Sequence, residues 1–524
     1  MSTKPKELSF GANAVLNVSA WFVPALTALI AVPITVRGLG ADAYGLLALV
    51  GTLTGYLGLM ELGLGTAIIR YLSFYRALNQ GRPMLGIVRF AVVWFGAVGF
   101  IGGVILFVGA PWFAQSMLKI PPDLVPTAVV VIRITAFAFF TGMLVSVGAA
   151  IPASFLRYDL AALMTVVFGV LGSAGPAILV LLGYGLVGIV LFGLATDGIA
   201  VVCYALIAVR LFRPIDLAAG PSWRSIRRKT LKFAGVAALN QIHSVIASQT
   251  SRVVVGVASG VAAAAYYQVP ALLASRVNIM LGKAAYVIFP TASGMKARND
   301  EEGVKQLYLR MSRLLFVING SVTMAMCALA YPLLQYWVSP KYAEEGAVAL
   351  VFFLLAGAIN ATTMAASYVN LSAARPGVNL TFAFLNSVIS LATVYPLTVR
   401  WGVTGAAFAG LLGALIVPFY FLYVHKRILD VSSVAVFRRC YWPAILGNIP
   451  LGVVVYFGVA PRLTNLMGTL AAFALVALAG IAISGVLGSI KREDVRAMIA
   501  LFRGLRRRPG GPRPRADRSE DDAE

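Results

Sequence analysis

Six charged side chains interrupt stretches otherwise too apolar to hold them: Arg133, Arg252, Arg276 and Lys283, against Glu61 and Asp197. A charge near the centre of a bilayer costs on the order of 3 kcal/mol or more, so each needs a partner, a route to water or a task. Four cations against two acids leave a surplus of two positive charges. That balance suits a passage for an anion. Arginine in particular matches phosphate, because its planar fork can hold two oxygens at once. Asp197 could pair with Arg133 in the first half of the chain, and Glu61 with Lys283 as a gate between the halves. Even with both pairs formed, Arg252 and Arg276 stay uncompensated. The alternative for each charge taken singly is a snorkelling or paired structural role.

A polar stripe accompanies Arg252. Asn240, Ser244, Ser248 and Arg252 recur every four residues and share one helix face, flanked by Gln241, His243 and Gln249. Asn13, Asn17 and Trp21 repeat the spacing near the N-terminus. Such a stripe either lines a polar cavity or hydrogen-bonds between helices. For residues 240–252 the cavity is the preferred reading, while His243 reads as a packing histidine.

The elements that must position these residues are transmembrane helices. The chain has 524 residues, 60% hydrophobic and only 12% charged, with a mean hydropathy of +0.86. A soluble domain carries roughly 25% charge. Apolar runs recur from end to end, and only helices satisfy their own backbone in lipid without the short alternating segments of a barrel. The pattern predicts an all-α membrane protein of about fourteen transmembrane helices, near 11–36, 44–69, 87–110, 125–150, 160–182, 185–209, 233–257, 265–290, 312–337, 346–371, 377–399, 402–424, 440–459 and 466–489. With the N-terminus inside, inner segments hold 34 of the 43 Lys and Arg residues and outer segments five. This asymmetry predicts cytoplasmic termini in a bacterial inner membrane. It also accounts for the net charge of +23 without nucleic acid. At a rise of about 1.5 Å per residue, Arg133 and Arg252 fall in the outer leaflet, Arg276 near mid-membrane and Lys283 nearer the inside. Together they form a ladder of cations.

The chain also repeats itself. LSFGANAVLN at 8–17 returns as LKFAGVAALN at 231–240, Tyr44 maps onto Tyr267, and YGLVGIVLFG at 184–193 answers WGVTGAAFAG at 401–410. Two six-helix bundles related by an internal repeat, plus two C-terminal helices, are the simplest account. The expected units are 1–212, a basic cytoplasmic linker 213–230, a second bundle 231–428, two additional helices in 429–490, and a tail 491–524. The tail opens KREDVRAMIALFRGLRRR, an amphipathic surface helix by its apolar face, and ends as a polar disordered stretch.

The stretch PITVRGLGADAYGLLALVGTLTGYLGLMELGLGTAIIRYLS resembles the opening helices of bacterial polysaccharide transporters. These are the O-antigen and exopolysaccharide flippases of the multidrug/oligosaccharidyl-lipid/polysaccharide exporter superfamily. The Leu39-Gly40 turn, Tyr44-Gly45 and the run Glu61-Leu62-Gly63-Leu64-Gly65 carry the likeness, although the family more often has Asp where Glu61 stands. The resemblance implies two bundles around a central cavity, working by alternating access on lipid-linked glycans.

Other chemistries find little support. GYGLVG at 183–188 fits a dinucleotide fingerprint but lies between two spans with no strand before it. No GxxxxGK[ST], triad or zinc spacing occurs. Cys203, Cys327 and Cys440 are scattered through apolar runs, and the acids of NDEEG at 299–303 read as solvated loop charges. The expected protein is therefore a non-enzyme without cofactor: a flippase for polyprenyl-pyrophosphate-linked oligosaccharide. Its partners would be membrane lipid, a coupling ion (Na+ or H+) and other glycan-assembly proteins. A cation-coupled multidrug exporter would want acids in the cavity, and a glycan polymerase or ligase a large outer loop. A transport-dead scaffold remains a further alternative.

Overall fold

The computed structural model describes residues 10–61, 64–216, 218–222, 228, 245–246, 249–286, 288–373 and 375–489. All regular structure among them is helical. The first half comprises α1 (Phe10–Leu57), α2 (Leu64–Ala77), α3 (Gly81–Trp112), α4 (Val125–Ser154), α5 (Tyr158–Leu181) and α6 (Leu186–Phe212). The second half comprises α7 (249–259), α8 (Val261–Ala285), α9 (Ile288–Ala297), α10 (Glu301–Ala328) and α11 (Ala330–Trp337), followed by α12 (Pro340–Ser372), α13 (Pro376–Ala414) and α14 (Val417–Val424). Three further helices close the described chain: α15 (Ser433–Val436), α16 (Trp442–Val454) and α17 (Leu466–Ser484). Residues 491–524, the proposed surface helix and tail, lie outside the described residues, as does most of 223–248.

Ten helices are long and apolar enough to cross a membrane. Two of them contain a reversal. Gly40 (φ 78°) divides α1, and Gly402 (φ 56°) divides α13, at conformations a side chain rarely adopts. After Gly402 the chain folds back: Gly405 lies against Leu397 and Gly413 against Asn386. Counting these segments separately gives twelve among the described residues, and α8 is a further helix of membrane-spanning length, which is roughly consistent with the fourteen or so that the hydropathy pattern predicts.

Packing repeats along the chain. α3 packs on α4 in the first half, as α10 and α11 pack on α12 in the second. One large apolar core joins the second segment of α1 to α2, α3 and α4; the second half holds several smaller cores around α8, α10 and α12. The halves exchange residues at their outer turns, since Val261 and Ala264 enter the first core while Val36 enters a core of the second. α16 and α17 are tied together by the Asn448 amide donating to Ser484 Oγ (3.1 Å) and pack on α10.

Two expectations need correction. The span expected at 44–69 is broken: α1 ends at Leu57, a short 3-10 turn covers Gly58–Glu61, and α2 starts at Leu64. The acids of NDEEG are also not a loop. Asp300 caps α10, accepting the Gly303 N–H at 2.8 Å, and Glu301 and Glu302 fill the first turn, where the helix dipole favours negative charge. Lys296 closes the same corner with an ion pair to Glu301 (2.7 Å).

Candidate functional site

The two halves meet along a seam between the second segment of α1 and α7, running antiparallel. Gly45 lies against Val261, Leu49 against Gly256 and Gly55 against Gln249. Tyr56 Oη and Thr250 Oγ1 share a hydrogen bond of 2.7 Å in the same register. From Gly45 to Gly55 the contact descends about 15 Å along the helix. A side chain at position 45 would overlap the Val261 carbonyl oxygen, so glycine is what allows this approach.

Arg37 reinforces the outer end. Its guanidinium donates to the carbonyls of Val338, Tyr336 (3.0 Å) and Trp337 (3.2 Å), the final turn of α11. A cation on the carbonyl end of a helix is favoured both by hydrogen bonding and by the dipole. Trp337 answers by donating its indole N–H to Leu29 O at 2.8 Å. The chain's first span is thereby latched to the second half.

Arg252 sits inside this seam, eight residues before the Gly260 turn and so about 12 Å below it. Its guanidinium interacts with the phenols of Tyr44 and Tyr267, the pair that the sequence repeat relates. It donates to Gln249 Oε1 at 3.3 Å, and its buried Nε has no hydrogen-bond partner. No carboxylate among the described residues pairs with it. Further down, α8 changes character. Its first part, Val261 to Ala274, is buried or half-buried, whereas Arg276, Met280 and Lys283 further along are exposed on one face. Arg276, too, has no carboxylate partner among the described residues.

The other sequence candidates divide. Arg133 is exposed and lies over the Phe107 ring at 5.2 Å, beside the exposed Phe137, and forms no ion pair with Asp197. Asp197 is half-buried on α6. Glu61 accepts the Gly65 backbone N–H and so caps α2, a local structural use of the carboxylate that replaces the expected partner across the halves. Asn240, Ser244 and Ser248 lie outside the described residues, and so does the side chain of Asn17 on α1.

Two cavities that the charge pattern does not reveal occupy the second half. The larger, about 650 Å3, lies between α10, α12, α14 and α16. Its walls are mostly apolar (Phe316, Leu355, Phe421, Ile445) with His425 at one end. His425 Nε2 meets Tyr308 Oη at 2.6 Å and its Nδ1 meets Ser433 Oγ at 2.9 Å, pinning α10, α14 and α15 together. The smaller cavity, about 380 Å3, lies between α12, α13 and α14 and is lined by amides and hydroxyls. A search restricted to charges passes over both. Asn360, Thr363 and Ser367 do carry helical spacing that would have marked the second.

The model of a family described as polysaccharide biosynthesis protein matches residues 34–347. The chain belongs to that family. No curated protein sequence matches it. Among solved structures, the lipid II flippase MurJ in an inward closed conformation aligns with a TM-score of 0.68 at 11% identity, covering 94% of this chain and 100% of that one. A multidrug resistance MATE family transporter of the MOP superfamily, inward-facing, aligns at 0.63 with 18% identity, covering 80% and 99%. An outward-facing MATE family transporter aligns at 0.53 with 18% identity, covering 81% and 95%. At these identities the likeness establishes the fold alone, a multi-pass helical architecture shared with those transporters.

Proposed function

We propose that this protein is a flippase that carries polyprenyl-pyrophosphate-linked oligosaccharide from the inner to the outer leaflet by alternating access. The observation that carries the reading is that Arg252 and Arg276, at two depths on adjoining helices, have no carboxylate partner among the described residues. Holding cations within a membrane without a counter-charge is costly unless an anion arrives to meet them. Arg252, Arg276 and Lys283 grip the pyrophosphate in succession, and the stripe of Asn240, Ser244 and Ser248 faces sugars. Arg133, over an exposed aromatic ring, is left out of the grip and reads as a snorkelling charge. The apolar cavity beside α16 suits the isoprenoid tail, being walled by aromatic and aliphatic side chains, some of them from α16 outside the repeat.

The closed outer seam and the exposed inner part of α8 correspond to the inward-facing limb of the cycle. Release outward requires the latch at Arg37 to break and the seam to part. With cytoplasmic termini in an inner membrane, moving two negative charges outward gains roughly 5 kcal/mol per 100 mV. A Na+ or H+ gradient and other glycan-assembly proteins are further partners in this reading. The multidrug alternative is disfavoured by the same charges, which would repel a cationic drug.

Glycan export in cells tests the reading. Replacing Arg252 and Arg276 together by Ala is expected to abolish export while leaving the protein in the membrane; export that persists in the double variant refutes the phosphate grip.

A further inference from the structure

We infer that the smaller cavity, between α12, α13 and α14, is a binding site for an uncharged group bearing hydroxyls or an amide, namely a sugar residue, separate from the cations of the seam. At about 380 Å3 it lies within the range of small-molecule sites. It is lined by Asn360, Thr363, Asn379, Asn386 and Tyr420, with Phe382 as an apolar surface, and no charged residue lines it. An anion would find no counter-charge there and neither would a cation.

The hydrogen bonds within it divide into a closed set and an open one. Asn379 is engaged on both sides: its Oδ1 accepts from Asn370 (2.8 Å) and Tyr420 (2.9 Å), and its Nδ2 donates to Ser367 O (3.0 Å). That set holds three helices together and explains itself. Asn386 and Asn360 do not. Asn386 Nδ2 donates to Asn360 Oδ1 at 2.9 Å, which leaves Asn386 Oδ1 without a donor and Asn360 Nδ2 without an acceptor among the described residues. Neither atom is sealed from the surroundings. Flipping both amides together preserves the pattern, since one donor and one acceptor remain open side by side. An unmet amide pair in a membrane protein is costly. A group that offers an acceptor and a donor together, such as two neighbouring hydroxyls or an acetamido substituent, satisfies both. The Phe382 ring suits the C–H face of the same sugar.

The inference rests on the glycan-carrier reading for its biological sense, but its test does not pass through transport. The full-length protein in lipid nanodiscs is titrated with N-acetylglucosamine and, separately, with inorganic pyrophosphate, and saturation-transfer NMR reads the binding. Wild type is expected to bind the sugar, and Asn360→Leu with Asn386→Leu to weaken it by about tenfold while pyrophosphate binding is unchanged. Replacing both partners by apolar groups of similar shape spares the fold. Should the pair of leucines yield no folded protein, Thr363→Val reads the same wall with a smaller loss. Absence of sugar binding in wild type, equal binding in the variants, or sodium-dependent stabilisation lost in the variants without any sugar effect overturns the inference. Loss of export in the Arg252 and Arg276 variants alongside unchanged sugar binding in the asparagine variants would leave the flippase reading standing and remove only this site.

Discussion

The seam between the two halves is built differently at its two ends. At the outer end, helices approach at glycine, apolar side chains from each half enter the other's core, and Arg37 spends its charge on the carbonyls of α11. At the inner end of α8, Arg276 and Lys283 stand exposed on a shared face. The same residue type thus closes one end and leaves the other open. What differs is the partner: the Arg37 guanidinium faces the last turn of a helix and acts as a fastener, while Arg276 pairs with no carboxylate among the described residues, which is what the proposed phosphate grip relies on. The fastener therefore combines hydrogen bonds and close glycine packing with a few apolar side chains exchanged between the cores, such as Val36, Val261 and Ala264.

This contrast can be broken in graded steps. The largest effect is expected from Gly45→Val, whose side chain would overlap the Val261 carbonyl and hold the outer seam apart. Glycan export should fall at least about tenfold, as expected when one limb of a two-state cycle is removed. A cysteine replacing the buried Val50, with the three native cysteines removed, should become accessible to an impermeant thiol reagent from outside. Arg37→Ala comes next. Losing charged hydrogen bonds across the seam costs about 1.5–3 kcal/mol, so the same labelling should rise by roughly ten- to a hundredfold. Arg37→Lys, which keeps the charge but not the fork, should fall between. Tyr56→Phe removes one neutral hydrogen bond worth about 1 kcal/mol, and Thr250→Val should add nothing further in a double-mutant cycle if the two hydroxyls act as a pair. The smallest effect on the seam is expected from Asp300→Ala. It removes the α10 cap and should cost about 1 kcal/mol of stability, seen as a lower melting temperature with labelling unchanged. Labelling that shifts with Asp300→Ala would mean that the seam responds to any loss of stability and that its outer end is no distinct fastener.

Much of this fold was legible in the residues. Hydropathy and charge marked the passes, and the Tyr44/Tyr267 correspondence marked two residues that the fold brings to Arg252. The candidate site was legible only in part. Arg252 and Arg276 were found because a lone cation in an apolar run is conspicuous. Arg37 was counted merely as one of five outer-face cations, since nothing local distinguishes a solvated arginine from one aimed at a helix end 300 residues away. Glu61 shows the opposite case, a charge with a local use that the expected gate did not include. A partner four residues along the chain, the Gly65 N–H, was available to the carboxylate before any partner on another helix. The amide cavity escaped because the reading of the spans followed charged side chains, and asparagine carries none.

The sequence by itself determined that this chain lives in a membrane as helices, and roughly where each pass starts and stops. Those outcomes depend on transfer free energies summed over consecutive residues and on turn glycines, which are local properties. Only the tertiary structure decided which charges are satisfied and which are left waiting. That depends on how each helix is rotated and which helix lies beside it, and a rotation of a third of a turn exchanges a lipid-facing side chain for one that meets a carbonyl. Arg37 and Arg252 are the same residue to the sequence; only packing gives one the carbonyls of a helix end and leaves the other without a carboxylate among the described residues.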